Sequence, residues 1–206
     1  MPRIALILAF LFVFAAPAPA ADEAPSRLPL PEGIEHTHDW YGLYMHGTKS
    51  GWAHVWTREV GQGEGSQLLA ALDVHIRVKA MGQEVAMTLS ERVLFDARPP
   101  YAMRSARWRQ ADTASVLDIR SEVRGGRVVA VIDEAGTTRT IDREAVDYTF
   151  EDYWSAQTWI QQAPRKGASL RVRAFDSSEV EYDVDIYTVA GTREVVAGGV
   201  PVTLYD

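Results

Sequence analysis

Cysteine is absent from all 206 residues of the sequence. Its absence excludes disulfide bonds, so burial of apolar groups must hold the fold together. It also excludes a thiolate nucleophile and any metal site built from cysteine. The G-x-S-x-G motif of a nucleophilic serine is missing as well, and Ser66 follows a polar turn, Gly63-Glu64-Gly65, that lacks a strand-to-helix context. We therefore predict a protein that is not an enzyme and needs no cofactor.

The sequence also lacks a cluster of basic residues. Its formal net charge is −7, and removal of Arg3 with the first 20 residues makes it one unit more negative. An acidic surface argues against nucleic acid and anionic lipid headgroups as partners. Carboxylates such as Glu181, Asp183 and Asp185 alternate with apolar residues, which is typical of the solvated face of a strand.

Long apolar runs are confined to the N-terminus. Arg3 precedes an apolar run at residues 4–14, and Ala18-Pro19-Ala20 offers a small-x-small cleavage site. The run is shorter than the about 20 residues that span a bilayer. We predict a signal peptide at residues 1–20, with an uncleaved anchor as the alternative, and no membrane span in the mature chain. The mature protein is then periplasmic or secreted, with an extended, proline-containing linker at residues 21–37.

Residues 38–206 are predicted to form a single β-rich domain. Alternation is clearest at residues 66–80, where Leu72, Val74 and Ile76 share one face and charged or polar residues occupy the other. The next run, residues 83–96, keeps its apolar face only across Glu91, which predicts a β-bulge near Ser90 and Glu91. The turn signals Met81-Gly82, Gly125-Gly126 and Ala135-Gly136 separate successive strands.

The single helical segment is predicted at residues 151–163, after Glu151 and Asp152 and before Pro164. About ten strands and one short helix indicate an all-β fold, an antiparallel meander that forms either a sandwich or a strongly curved half-barrel. The last run, residues 200–206, reads as a strand without a following turn. Either an edge strand or a truncated longer protein explains that ending.

Aromatic residues are concentrated at residues 40–56, WYGLYMHGTKSGWAHVW, which predicts a hairpin. Apolar side chains occur on both faces of this hairpin, so we expect a sheet, a helix, a partner or a ligand to cover the second face. The rings either fill the core or line a groove for an apolar ligand or a protein partner. The candidate contact residues are Trp40, Tyr44, Trp52, Trp56 and Trp108, and Trp154 and Trp159 of the helix are candidates to plug the same opening.

Histidines suggest a metal site as a weaker alternative. His36 and His38 have H-x-H spacing, which places both imidazoles on one face of an extended segment. Imidazole and carboxylate groups bind zinc or copper, and His46, His54 or His75 is available as a third ligand. The simpler interpretation is that these histidines are linker or solvent-facing residues.

Three segments carry a family resemblance: WYGLYMHGTKSGWAHV at 40–55, LDVHIRVKAMGQEVAMTLSERVLFD at 72–96, and KGASLRVRAFDSSEVEYDV at 166–184. Their order resembles the β-rich N-terminal region of bacterial exported transglutaminase-like proteins. In that family a later papain-like module carries the Cys-His-Asp arrangement. The resemblance therefore implies a non-catalytic accessory domain, or the N-terminal fragment of a longer enzyme, and assigns no catalytic residue.

Overall fold

The computed structural model describes residues 38–45, 48–61, 65–80, 83–197 and 200–205. The predicted signal peptide and linker, His36, His46 and the Met81-Gly82 turn lie outside these residues. The strands are β1 (His38–Met45), β2 (Thr48–Val60), β3 (Gln67–Ala80), β4 (Gln83–Asp96), β5 (Met103–Ala111), β6 (Val116–Arg124), β7 (Arg127–Glu134), β8 (Thr137–Glu144), β9 (Ser169–Asp176), β10 (Glu181–Thr188), β11 (Thr192–Ala197) and β12 (Val200–Tyr205). Helix α1 (Phe150–Gln161) separates β8 from β9.

Strands β1 to β8 form one antiparallel sheet in chain order, and β9–β10 and β11–β12 form two separate hairpins. Within the described ranges no pairing joins β1 to β8, so the sheet is open rather than a closed barrel. The predicted all-β, antiparallel fold with one short helix is confirmed. Tight turns connect the later strands because Gly125, Gly126 and Gly136 adopt positive φ angles that other residues rarely accept.

The two faces of the eight-stranded sheet differ in what covers them. Its inner face carries Leu68, Val93, Phe95 and Ile119, all nearly inaccessible to solvent. Helix α1 and the β9–β10 hairpin pack onto this face, contributing Phe150, Trp154, Phe175 and Val180 to the same core cluster. The opposite, outer face carries the side chains that alternate with these core residues. One helix and one hairpin thus replace the second full sheet of a sandwich.

Helix α1 begins where its cap satisfies the first free backbone amides. The Thr149 side chain accepts a hydrogen bond from the Asp152 amide, and the Asp152 carboxylate accepts one from the Thr149 amide. This capping box stabilises the start of the helix just before the predicted residue 151. The ring centroids of Phe150 and Phe95 lie 5.4 Å apart at 76°, so the first turn is anchored directly on β4.

The predicted bulge near Ser90 and Glu91 is wrong. The β3–β4 register runs without a shift from Gln67↔Asp96 to Ala80↔Gln83. The Glu91 side chain keeps its place in the alternation and projects from the inner face of the sheet. Its carboxylate accepts a hydrogen bond from the Ser177 hydroxyl at 2.6 Å and one from the Tyr153 hydroxyl at 3.5 Å. These hydrogen bonds let an acidic side chain occupy an otherwise apolar position. The register shifts of β4–β5 and β1–β2 lie elsewhere, at Leu94/Phe95 and Leu43/Tyr44.

Candidate functional site on the outer face

A row of aromatic and imidazole rings crosses the outer face of β1, β2 and β3. Alternation along each strand sends every second side chain to this face, and the register Trp40↔His54 and Trp52↔His75 brings the three strands' rings side by side. We call this row the aromatic ladder. Its members are His38, Trp40, Trp52, His54, Trp56 and His75.

Rings of the aromatic ladder stack against one another. The centroids of Trp40 and His54 lie 4.1 Å apart with planes only 6° from parallel. Trp40 lies 5.2 Å from Trp52, and Trp52 lies 5.9 Å from His75. These ring contacts share part of the apolar surface within the ladder.

The exposed tryptophans of the aromatic ladder are Trp40 and Trp52, and His38 beside them is exposed as well. The two tryptophans are 55% and 38% solvent-exposed. Within the described residues neither a sheet nor a helix covers these two indoles, so a cover supplied by a partner or a ligand stays a prediction. Assignment of both rings to the core is wrong for the same reason, because the apolar core lies on the other side of the sheet.

Trp56 is fixed more firmly than the other two indoles. Its indole N–H donates to the Asp73 carboxylate at 3.1 Å. Arg92 donates to the other oxygen of Asp73 at 2.6 Å, and the guanidinium carbons of Arg58 and Arg92 lie 5.0 and 5.2 Å from the Trp56 ring centroid. Cation–π contacts of this kind and the hydrogen bond to Asp73 stabilise the position of the Trp56 ring.

Two histidines of the aromatic ladder approach closely. His38 Nδ1 lies 3.3 Å from His54 Nε2, across β1 and β2. Burial lowers the pKa of His54, and the neighbouring His38 lowers it further. His75 is held differently, because Arg77 Nε donates to its Nε2 at 3.1 Å. A shallow groove of about 280 Å³ runs beside these rings and is also lined by Ser90 and Arg109.

The structure does not bring all the predicted contact residues together. Trp40, Trp52 and Trp56 meet in the aromatic ladder, whereas Trp108 lies on the inner face of β5. Trp154 is buried in the core and Trp159 is partly buried on α1, so neither helix tryptophan closes the outer face. Tyr44 belongs to β1, but its side chain lies outside the described part of the chain.

Sequence reasoning missed a second polar site, on the inner face around Glu91. Burial raises the pKa of Glu91, although hydrogen bonds from Ser177 and Tyr153 oppose that shift. Burial and the Glu91 charge together raise the pKa of Tyr153 well above its usual value. An acidic cleft of about 310 Å³, lined in part by Glu91, Trp108 and Ser177, opens here. The interrupted apolar alternation of β4 was the one signal in the sequence.

Two kinds of site do not occur in the described residues. No three histidine or acidic side chains there are grouped closely enough to hold a metal ion. None of the helices among residues 38–197 has both the length and the apolar character needed to cross a bilayer.

Comparison with known proteins adds no assignment. No family model, no curated protein and no solved structure matches the chain. The resemblance to the N-terminal region of transglutaminase-like proteins therefore stays a prediction.

Proposed function

We propose that the protein is a non-catalytic, exported binding module of the bacterial envelope, and that the aromatic ladder is its contact surface. The exposure of Trp40 and Trp52 on the face opposite the core is the observation that carries this proposal. Neighbouring indoles that stay accessible cost free energy in a soluble monomer, and their removal from water by a partner recovers it.

The composition around the ladder favours a protein as the partner. Tryptophan and arginine are the residues most enriched at the energetic centres of protein interfaces. Arg58 and Arg109 on the outer face are exposed, and Asp73 is already paired with Arg92. Although the whole chain is acidic, this surface is locally basic. A partner with apolar side chains flanked by carboxylates complements it.

One flat side of the Trp40 indole lies on His54, and more than half of the residue's surface stays exposed. Exposed indole surface is suited to van der Waals contact with aliphatic side chains, and the indole N–H is suited to hydrogen bonding with carbonyl or carboxylate oxygens. These groups are abundant at the surface of a folded protein.

Site-specific photo-crosslinking in intact cells tests the proposal. A photoreactive phenylalanine analogue is placed at Trp40 and, as a matched control, at Val131, which is 42% exposed on the outer face of β7. We expect a discrete crosslinked envelope protein from position 40 alone, with a yield that falls in the Trp52→Ala background. Equal crosslinking from both positions, or none from position 40, contradicts the proposal.

A further inference from the structure

His38 and His54 lie in adjacent strands as diagonal neighbours on the outer face. In the β1–β2 register His38 is opposite Trp56 and His54 is opposite Trp40, so the two imidazoles meet across the strand pair. Their nearest nitrogens, His38 Nδ1 and His54 Nε2, are 3.3 Å apart, so one ring donates a hydrogen bond to the other when no ion is bound. The rings themselves are only 28° from parallel, with centroids 5.5 Å apart.

This nitrogen separation matches that of two imidazoles bound to one tetrahedral zinc ion. With zinc–nitrogen distances of about 2.0–2.1 Å and a tetrahedral angle, the two ligand nitrogens lie about 3.3–3.4 Å apart. A square-planar ion holds adjacent ligand nitrogens closer, at about 2.8 Å. We propose that His38 and His54 form a two-histidine Zn²⁺ site on the outer face, with water in the remaining positions.

The charged groups beside His54 are paired and do not repel a bound cation. Asp73 is the cross-strand neighbour of His54 on β3, and Trp56 and Arg92 hold that carboxylate in place without using His54. Arg92 and Asp73 form an ion pair at 2.6 Å, so their opposite charges offset each other beside His54.

The site differs from the one that the sequence suggested. H-x-H spacing pointed to His36 with His38, whereas the strand pairing gives His38 a partner 16 residues away in the chain. The described residues contain no group of three or more such ligands, so the chain supplies two ligands to the inferred site, one of them on the exposed His38. It is independent of the proposed protein partner, because zinc binding requires nothing beyond this chain.

The inference is tested by measuring Zn²⁺ binding to the untagged mature protein by equilibrium dialysis. Tryptophan emission is a second readout, because Trp40 stacks on His54 and should respond to an ion bound there. We expect about one Zn²⁺ per chain. His38→Ala and His54→Ala should each weaken binding at least about 10-fold, the loss already typical of removing an outer ligand partner. His75→Ala is the matched control, because His75 belongs to the same ladder but is bonded to Arg77.

Each outcome decides the inference. Loss of binding in His38→Ala and His54→Ala with binding retained in His75→Ala supports it, provided that circular dichroism shows all three variants folded. Absence of zinc uptake by the wild-type protein overturns it. So does binding that survives His54→Ala but is lost in His36→Ala, because that pattern assigns the ion to the H-x-H pair. Equal loss in His75→Ala also overturns the two-histidine assignment.

Discussion

Asp118 provides the most quantitative test of the energetics of the outer face. The side chain lies on β6 and is only 11% exposed. Arg107 donates to both carboxylate oxygens, at 2.6 and 3.1 Å, and Arg120 donates to one of them at 3.1 Å. Hydrogen bonding from Arg107, assisted by Arg120, lowers the pKa of Asp118 from 3.8 to about 2. We predict that Asp118→Asn destabilises the protein at neutral pH.

The expected magnitude follows from the pKa of Asp118. The change from 3.8 to about 2 corresponds to about 2.4 kcal/mol, at about 1.36 kcal/mol for each pKa unit. The arginine side chains are 51% and 63% exposed, so solvent screening reduces this value. We therefore expect Asp118→Asn to lower the free energy of unfolding by about 1–2 kcal/mol at pH 7.

The pH dependence has a defined sign. Because the folded-state pKa of Asp118 lies below the unfolded value, its stabilisation is complete above pH 3.8 and is lost as the pH falls toward about 2. Urea unfolding followed by circular dichroism at several pH values measures this. The difference between wild type and Asp118→Asn should shrink with acidification through that window.

Asp142→Asn is the matched control for Asp118→Asn. Asp142 pairs with Arg127 on the surface, and both side chains are about half exposed. Its replacement should change the unfolding free energy by less than about 0.5 kcal/mol at any pH. The reasoning is refuted if Asp118→Asn and Asp142→Asn behave alike, or if the loss in Asp118→Asn is the same at pH 7 and near pH 2.

Three further predictions concern the core and the sheet. Burial raises the pKa of Glu91 above its ordinary 4.5, so the free energy of unfolding should decline as the pH rises above 4.5 and the buried carboxyl group ionises. Glu91→Gln removes this ionisation and should flatten the decline, as measured by urea unfolding. Gly51→Ala should cost about 1–3 kcal/mol, because the added methyl overlaps the His75 carbonyl oxygen across β2 and β3. Phe150→Ala should cost about 3–5 kcal/mol in thermal or urea unfolding, because Phe150 is fully buried between α1 and the sheet.

A contrary outcome can be stated for the Glu91 and Gly51 variants, and a control for the Phe150 variant. An unchanged pH profile in Glu91→Gln would mean that the carboxylate is not the group that titrates. Wild-type stability in Gly51→Ala would show that β2 and β3 separate easily at this point. The reference for Phe150→Ala is Val146→Ala, since Val146 is 43% exposed in the segment just before the helix and should lose little on truncation.

Strand positions and their two faces follow directly from the sequence in the regular part of the sheet. Leu72, Val74 and Ile76 alternate with polar residues because one face of β3 packs on the core and the other meets solvent. The helix was predictable from its acidic first turn and Pro164. Its start one residue earlier reflects the capping box at Thr149, which depends on exact backbone geometry.

The candidate sites were less predictable, because their partners are distant in sequence. Glu91 is stabilised by Tyr153 and Ser177, which lie 62 and 86 residues away, so alternation in β4 alone suggested a bulge instead. Grouping of the ladder tryptophans was implied by alternation. The exposure of Trp40 and Trp52 was not predictable in this way. Stacking between rings on different strands depends on how the strands pair, which the alternation of residues along one strand does not show.

The contact between Trp40 and Trp52 has a spectroscopic consequence. The two indoles lie 5.2 Å apart with planes inclined at 53°, so we expect their electronic transitions to couple and to generate a paired, oppositely signed band in circular dichroism. Neither chromophore alone produces that signal. The N-terminal hairpin therefore carries an intrinsic optical reporter of strand registry, which needs no label and disappears once β1 slips or detaches from β2.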